Sequence, residues 1–504
     1  MSIETLAGIR KRLQAAGLLL DVQGRTDDAN IDHLAADSRK VGPGGLFVAV
    51  RGAETDGHLF IDKAVQNGAE TIVCEAMPDD RERRYAGIAF VRVSDGRAAL
   101  AELAAAFFGD PSHTLRVVGI TGTNGKTTVA CLIHHVLTQL GWKTGLVGTI
   151  ETRIGGGVLA AGLTTPGPIE MQGLLRRMAD AGCRVCAMEV SSHALDQRRV
   201  GSIPFAVAVF TNLTRDHIDY HGTIAAYRAS KKKLFDDLGS GAVAVYNADD
   251  AAGAGMVADT PAVLQSFAVD AEADVRVEIL DHSLDGLTLQ WAGEDRRFRL
   301  VGRFNAYNLM AAYAAACALG HTPALVLDAL QEAPPVPGRF ELMHFDDGTK
   351  VVVDYAHTPD ALENVLQTIA DAKEDDAEVW CVFGCGGDRD RAKRPLMAMA
   401  AERYADHVIA TSDNPRTEDP VDILEEIRSG FADPWPVRFV PDRREAIAEA
   451  GRRARAGDVV LVAGRGHERF QTVGTEKRPF DDREVVREVF ASRVLVHRPE
   501  QRNH

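Results

Sequence analysis

The run Gly119-Ile120-Thr121-Gly122-Thr123-Asn124-Gly125-Lys126-Thr127-Thr128 has the residue types needed to hold a nucleotide's phosphates. Small residues let backbone N–H groups curl around phosphate oxygens, and a helix N-terminus beyond the turn adds partial positive charge. Lys126 can reach the β- and γ-phosphates of ATP, and the Thr127 hydroxyl can hold Mg2+. The strict G-x-x-x-x-G-K-[ST] spacing would place a glycine where Ile120 stands. The flanks support the reading nonetheless. An apolar strand precedes the run, and apolar residues at Val129, Leu132, Ile133, Val136, Leu137 and Leu140 predict a helix that stops at Gly141. The alternative is a Gly-rich turn that merely links strand to helix.

Three further groups could add metal chemistry. Glu189 ends an apolar run and is followed by Ser191-Ser192-His193, the usual place for a second metal-holding group in P-loop proteins. His217 and His221 have the i,i+4 spacing of a zinc pair, but Ile218 stands where the metalloprotease pattern has glutamate. One metal-facing His217 is the better reading. Lys231-Lys232-Lys233 reads first as a solvated helix face. A desolvated lysine among them would lose its proton readily, take up CO2 as a carbamate and become an anionic metal ligand. The spacing does not decide between the two.

These groups sit in an alternation of strands and helices. Residues 1–108 form a small α/β pattern, with strands expected at Leu46–Val50 and Thr71–Val73 and a helix over 95–108. Phe108-Gly109-Asp110-Pro111-Ser112 breaks that helix and marks a boundary. Residues 109–337 carry strands at Leu115–Ile120, Cys186–Val190, Ala206–Asn212 and Ala242–Asn247 and an Ala-rich helix at Asn305–Leu319. This predicts a central, parallel, mononucleotide-binding sheet covered by helices. Ala333-Pro334-Pro335-Val336-Pro337-Gly338 reads as a second linker. Residues 338–504 repeat the logic as a Rossmann-like unit, with strands at Val351–Asp354, Val379–Phe383, Val408–Thr411 and Val459–Ala463. Each runs into a charged or Gly-rich turn, and ligands of open α/β sheets bind at such strand ends. The expected fold is therefore α/β in three domains, as the length of 504 residues also suggests.

Composition excludes other classes. Lys+Arg 57 against Asp+Glu 72 gives a net charge of −15, which argues against general nucleic-acid or anionic-membrane binding. No apolar run is long enough to span a membrane, and Met1–Thr5 lacks a signal-peptide pattern. The seven cysteines are too few and too scattered for a disulfide scaffold. Cys183 and Cys186 form a lone C-x-x-C without a second pair, which reads as structural. The expected compartment is the cytosol, and the polar tail from His497 is expected to fray.

Taken in order, Gly119–Thr128, Glu189–His193, Thr211–Tyr220, Tyr227–Phe235, Asn305–Asn308, Asp354–Asp360 and Asp413–Arg416 resemble the motifs of the Mur ligases of peptidoglycan synthesis. The resemblance covers nearly the whole chain. It implies an ATP-dependent amide ligase. In that chemistry a substrate carboxylate attacks the γ-phosphate to give an acyl phosphate, and an incoming amine then displaces phosphate. The motifs are most similar to those of members that add meso-diaminopimelate to UDP-N-acetylmuramoyl-L-alanyl-D-glutamate. A monomer is expected.

The resemblance also implies site roles. Gly122, Thr123, Asn124, Gly125, Lys126, Thr127 and Thr128 would hold the ATP phosphates, and Asn305 and Asn308 would lie around the adenine. Arg339 and Asp354 would be further nucleotide contacts. Glu189, His217 and Thr127 would hold Mg2+ together with Lys231, which matches the register of the family's carbamylated lysine where Lys232 and Lys233 do not. Lys126, Lys231, His217 and Glu189 would be the catalytic set. Ser38 resembles a uridine-side contact, and Thr164, Thr165, Ser191, Gln197 and Arg199 resemble contacts to the muramoyl peptide. Asp56-Gly57-His58 fits the first domain's pattern, whereas Ala53-Glu54 replaces the His-Gln of some members.

Asp413-Asn414-Pro415-Arg416 would read the amino acid, with Arg389, Gly464 and Glu468. A guanidinium suits the distal carboxylate that distinguishes diaminopimelate from lysine. Arg465 and Ala392 replace a usual lysine and a frequent glycine. A folylpolyglutamate synthase would share the phosphate loop but not the Asn-Pro-Arg motif or the complete first domain. A nucleotide-dependent switch would be a different class. A GTPase form of it would need a lysine that Asn247-Ala248-Asp249-Asp250 lacks.

Overall fold

The computed structural model describes residues 5–24, 30–52, 55–160 and 162–491. The readings at Ala53-Glu54 and in the tail from His497 lie outside these residues, as do Met1 to Glu4.

Three sheets organise the described chain. The first has five strands in the spatial order Leu19–Gly24, Ala89–Val93, Ala69–Cys74, Gly45–Val48 and His33–Ala35. Its first pair is antiparallel and the rest are parallel. The helix Gly96–Phe107 starts where Asp95 accepts the Ala98 N–H at 2.9 Å. Its Ala99, Leu100 and Leu103 then pack on Leu46, Val48, Val73 and Val91 of the sheet.

The second sheet has 11 strands. Its parallel part runs Val275–Ser283, Val263–Ala268, Val243–Asn247, Phe205–Phe210, Arg116–Thr121, Val185–Glu189 and Thr144–Val147. Side chains alternate between its faces, as strand geometry requires. Val118 and Ile120 pack with the helices Lys126–Gln139 and Arg303–Ala318 on one face. Val117 packs on the other face with the helices Pro168–Asp180 and Ile224–Asp236. The helix Arg303–Ala318 has no broad polar stripe, since Ala306, Leu309 to Ala312 and Ala314 to Ala316 are all buried. A helix apolar on most sides belongs inside. Here it carries Asn305 and Asn308 beneath the phosphate loop.

Each edge of this sheet is extended by antiparallel strands, Gly286–Trp291 with Glu294–Phe298 on one side and Glu151–Ile154 with Gly157–Ala160 on the other. These extensions were not among the expected strands.

The third sheet has six strands in the order Glu341–His344, Lys350–Asp354, Val459–Ala463, Val379–Cys385, His407–Ser412 and Arg438–Val440, parallel except for the first. The four expected strands are all present, so their four turns share one edge of the sheet. A buried ion pair fastens that edge. The Arg443 and Asp482 side chains are both fully buried, with N–O distances of 2.8 and 2.7 Å. Arg443 also donates to the carbonyls of Ser412 at 3.3 Å and Ala463 at 2.8 Å, at the ends of two strands.

All seven cysteines are free thiols, and none is exposed. Burial pushes the Cys186 thiol up, which accords with the structural reading of the C-x-x-C. Among the described residues, no helix is long and apolar enough to cross a membrane.

Candidate active site

The strand Arg116–Thr121 delivers the phosphate loop, and the helix Lys126–Gln139 leaves it. Gly125 has φ +87°, and a Cβ there would lie 2.5 Å from Asn308 Oδ1. Gly122 has φ +150°, and a Cβ would fall onto Thr211 Oγ1. Both positions therefore require glycine, although the glycine expected at position 120 is absent. Ile120 is instead buried in the core beneath the sheet.

Lys126 Nζ donates to its own loop, at 2.9 Å to the Gly122 carbonyl and 2.7 Å to that of Thr123. Burial lowers its pKa, against the pull of Glu189 and Asp216. Thr127 donates its hydroxyl to Glu189 Oε2 at 2.9 Å. Glu189 ends its strand 1% exposed. It also accepts the Thr149 N–H at 2.7 Å and the Thr149 hydroxyl at 3.0 Å.

The lysine run divides by helical geometry. Lys232 pairs with Asp236 and Asp259, and Lys233 with Asp196, all at the surface. Lys231 points inward and is 1% exposed. Its ammonium lies 4.5 Å from the Tyr227 ring centre and donates to the Gly122 carbonyl at 2.7 Å. Burial, then the nearby Lys126, drives its pKa well down, and Asp216 only partly opposes this. No carboxylate pairs with it among the described residues.

His217 starts a short helix with φ +55°. Its ring centre is 4.8 Å from that of His193. His221 turns away, and its Nε2 lies 2.9 Å from Ser192 Oγ. The two histidines thus do not form a joint metal pair. Among the described residues, no three His, Cys, Asp or Glu side chains converge as a metal cage. Mg2+ is bound through one or two carboxylates plus substrate phosphates. Glu189, Thr127 and His217 are the donors that fit it.

The third unit closes over this site. Arg339 Nη2 donates to Thr127 Oγ1 at 3.0 Å, and its Cζ lies 4.2 Å from the Tyr355 ring centre. Arg339 Nε is buried without a hydrogen-bond partner among the described residues. Asp354 accepts the N–H groups of Phe340 at 2.6 Å and Ala356 at 2.7 Å. Asn124 Nδ2 reaches across to Asp360 Oδ2 at 3.0 Å. Asn308 donates to Asn305 at 2.8 Å, and Asn305 donates to the Val301 carbonyl at 2.8 Å. A cavity of about 520 Å³ is lined by residues 123–128, Glu189, His217, Lys231, Asn305, Asn308, Arg339 and Asp354 together.

Thr164 and Ser191 also line it. Thr165 Oγ1 donates to the Glu189 carbonyl at 2.9 Å and accepts the Ser191 N–H at 3.1 Å. Arg199 donates to the Thr165 carbonyl at 2.8 Å and to Gln197 Oε1. These five expected residues form one connected patch beside the cavity. Ser38 stands apart in the first unit, buried, with its carbonyl accepting Asn67 Nδ2 at 2.8 Å.

The residues expected to read the amino acid also meet. Asn414 donates to Glu468 Oε2 at 2.9 Å and accepts from Arg465 at 3.1 Å. Arg465 is itself fully buried, with Nη1 bonded to Asn414, Nη2 to the Phe480 carbonyl, and Nε without a hydrogen-bond partner among the described residues. Pro415 leads into Arg416, which has φ +50° and donates to the Gly387 carbonyl at 2.6 Å. Burial, then Arg389, lowers the Arg416 pKa, so the two guanidiniums lie close enough to repel. An incoming carboxylate would relieve that repulsion. Gly464 donates its N–H to the Asp354 carbonyl at 3.0 Å, which joins this turn to the strand end on the 520 Å³ cavity. Burial, then Asp413, raises the Glu468 pKa. A second cavity of about 650 Å³ is lined by Glu468, and Thr149 borders both cavities.

Backbone strain collects here. Among the described non-glycine residues with positive φ, His217, Phe340, Asp388, Arg198 and Arg416 are site residues or their immediate neighbours. Such conformations persist where the surroundings over-determine them. Thr149, Asp216, Tyr355, His357 and Asp360 were not expected as site residues. Thr149 follows the end of the strand Thr144–Val147, so the strand-end rule could have found it.

Three family models match the chain. The Mur ligase middle domain matches residues 120–316, the Mur ligase glutamate ligase domain 338–466, and the Mur ligase family catalytic domain 30–108. A UDP-N-acetylmuramoyl-L-alanyl-D-glutamate–2,6-diaminopimelate ligase of Phocaeicola vulgatus is 44% identical over 464 residues, 92% of this chain and 95% of the relative. A ligase of the same name from Parabacteroides distasonis is 45% identical over 468 residues, covering 92% and 96%. A solved structure of a ligase of that name superposes with a TM-score of 0.64 at 34% identity, covering 92% of this chain and 95% of that one. With its three sheets in the same order as these domains and its phosphate loop under the third, the chain belongs to the Mur ligase family.

Proposed function

We propose that this ligase adds meso-diaminopimelate to UDP-N-acetylmuramoyl-L-alanyl-D-glutamate, driven by ATP, through an acyl-phosphate intermediate in peptidoglycan precursor synthesis. The observation that carries the reading is the single cavity shared by the phosphate loop, Glu189 and Lys231 on one side and Arg339 and Asp354 on the other. Relatives of that name at 44–45% identity support it over nine-tenths of the chain.

The residues divide the work. Residues 122–128 hold the ATP phosphates through backbone N–H groups, and Lys126 exchanges its loop carbonyls for phosphate oxygens. Asn305 and Asn308 border the adenine, and Arg339 and Asp354 close on the nucleotide from the third unit. Glu189, Thr127 and His217 would hold Mg2+, whose charge would offset that developing on the transferred phosphoryl group and on the acyl oxygen. Lys231, as its carbamate, adds a second anionic oxygen donor to that of Glu189. A neutral buried amine is the form that takes up CO2, and the burial of Lys231 favours it.

Ser38 contacts the uridine side, and Thr164, Thr165, Ser191, Gln197 and Arg199 position the muramoyl dipeptide. Arg416 and Arg389 hold the distal carboxylate of diaminopimelate. Glu468 takes its ammonium, with Asp413, Asn414, Pro415 and Gly464 shaping the turn. In this reading residues 1–108 bind the UDP end, 109–337 hold ATP and 338–504 bring the amino acid. The enzyme works as a monomer in the cytosol.

The test is a coupled ADP-release assay with product mass, using the UDP-muramoyl dipeptide, Mg-ATP and either meso-diaminopimelate or L-lysine. Product with diaminopimelate alone is expected. Product with lysine would contradict the role of Arg416. ATP turnover without any amide product would contradict the ligase reading.

A further inference from the structure

Amide formation consumes a free amine, whereas an amino acid's α-amino group is largely protonated at neutral pH. None of the roles assigned above removes that proton. Two imidazoles line the shared cavity, His217 and His357. His217 is committed to the metal side. His357 lies on the third unit, in the turn after the strand Lys350–Asp354.

The surroundings of His357 fix its chemistry. Its Nδ1 is 2.9 Å from the Tyr355 carbonyl oxygen. A carbonyl can only accept, so Nδ1 carries the hydrogen and the neutral ring keeps its lone pair on Nε2. Nε2 lies 4.0 Å from Asp216 Oδ2, a carboxylate placed to stabilise the ring once it is protonated. Lys393 Nζ donates to the His357 carbonyl at 2.9 Å, which anchors the turn. The titratable groups that act on the ring are Lys393, Asp216 and Asp413, and His217 across the cavity also feels its charge. Asp216 belongs to the nucleotide face and Asp413 to the amino-acid face, so the ring stands between the two. Its side chain is 36% exposed, and this partial burial, then Lys393, lowers its pKa below the ordinary imidazole range, against Asp216. It is therefore neutral and able to accept a proton at neutral pH.

We propose that His357 Nε2 is the general base that deprotonates the incoming amine, an assignment that rests on the ligase reading above. One N–H bond of the ammonium breaks, its electron pair stays on nitrogen, and the proton moves to Nε2. The nitrogen pair then forms the C–N bond to the acyl carbon. The C–O bond to phosphate breaks with its electron pair, and the departing phosphate takes the second amine proton. His357 afterwards gives its proton to solvent.

Hydroxylamine, a nucleophile already unprotonated at neutral pH, separates this role from others. The full-length enzyme and its His357→Gln and His357→Asn variants are given the UDP-muramoyl dipeptide and Mg-ATP, with either diaminopimelate or hydroxylamine. The expected result is a loss of about 10²- to 10⁴-fold in amide formation with diaminopimelate, the range of general-base catalysis, while hydroxamate forms at the wild-type rate. The diaminopimelate rate of the variants should also climb with pH as the amine deprotonates itself. An equal loss with both nucleophiles would overturn the proposal and place His357 in phosphoryl transfer or folding. No loss with either would overturn it as well. Wild-type enzyme that forms neither product would instead overturn the ligase reading, and the proposal with it.

Discussion

Arg443 and Lys231, two of the buried cations among the described residues, lie at nearly the same depth, and their partners differ completely. Arg443 in the third unit meets Asp482 through two hydrogen bonds and adds two strand-end carbonyls. Burial works against its charge, but Asp482, Asp413 and Glu468 together outweigh it and its pKa rises. Lys231 in the middle unit meets one carbonyl and the face of Tyr227. Burial and Lys126 prevail there, and its pKa falls. A buried charge with a full set of partners is a fastening, whereas one without partners neutralises or awaits a group that the fold does not supply. The first holds the edge on which the amino-acid turns sit. The second sits against the phosphate loop.

The largest effect should come from breaking the fastening. Arg443→Met leaves Asp482 buried with only the more distant Arg465 Nε, 4.0 Å away, as a counter-charge, and chemical denaturation should show a loss of about 3–5 kcal/mol. The double variant Arg443→Met with Asp482→Leu should recover most of it. Lys231→Met should do the reverse. Turnover should fall by about 10²- to 10³-fold, the scale of a lost electrostatic donor, while the melting temperature holds or rises. A melting temperature that drops with turnover would make Lys231 a second fastening and end the contrast.

Arg416→Lys probes the edge that Arg443 supports. A lysine cannot reproduce bidentate contact, so the apparent affinity for diaminopimelate should weaken by about 10- to 100-fold with ATP binding unchanged. The smallest effect should come from the exposed pair Arg444–Glu488, which is 2.6 Å long. Arg444→Ala should shift stability by less than about 1 kcal/mol, because exposed pairs contribute little.

The contrast also explains what the sequence reveals. Local periodicity placed the strands that carry chemistry, and Val459–Ala463 matches its expected bounds. The phosphate loop was legible because its parts are adjacent. The inward turn of Lys231 was not legible from Lys231-Lys232-Lys233, since three adjacent lysines differ only in which way the helix faces them. Family register alone singled it out. The contacts of Arg339 with Thr127 and of Asn124 with Asp360 join residues more than 200 positions apart, so no local pattern encodes them. The edge hairpin Gly286–Phe298 was missed because its exposed strand Glu294–Phe298 is mostly charged. Arg443 and Asp482 were passed over for a related reason, as a charged residue in a helix reads as surface until its partner is known.

Lys231 is buried without a carboxylate partner because, in this reading, it carries a carbamate. 13C NMR of the enzyme equilibrated with 13C-bicarbonate tests it directly, with Lys231→Met as the control. The account predicts a carbamate resonance in the wild type that is absent from the variant and lost on acidification. A wild-type spectrum without that resonance, or one that persists in Lys231→Met, would contradict it.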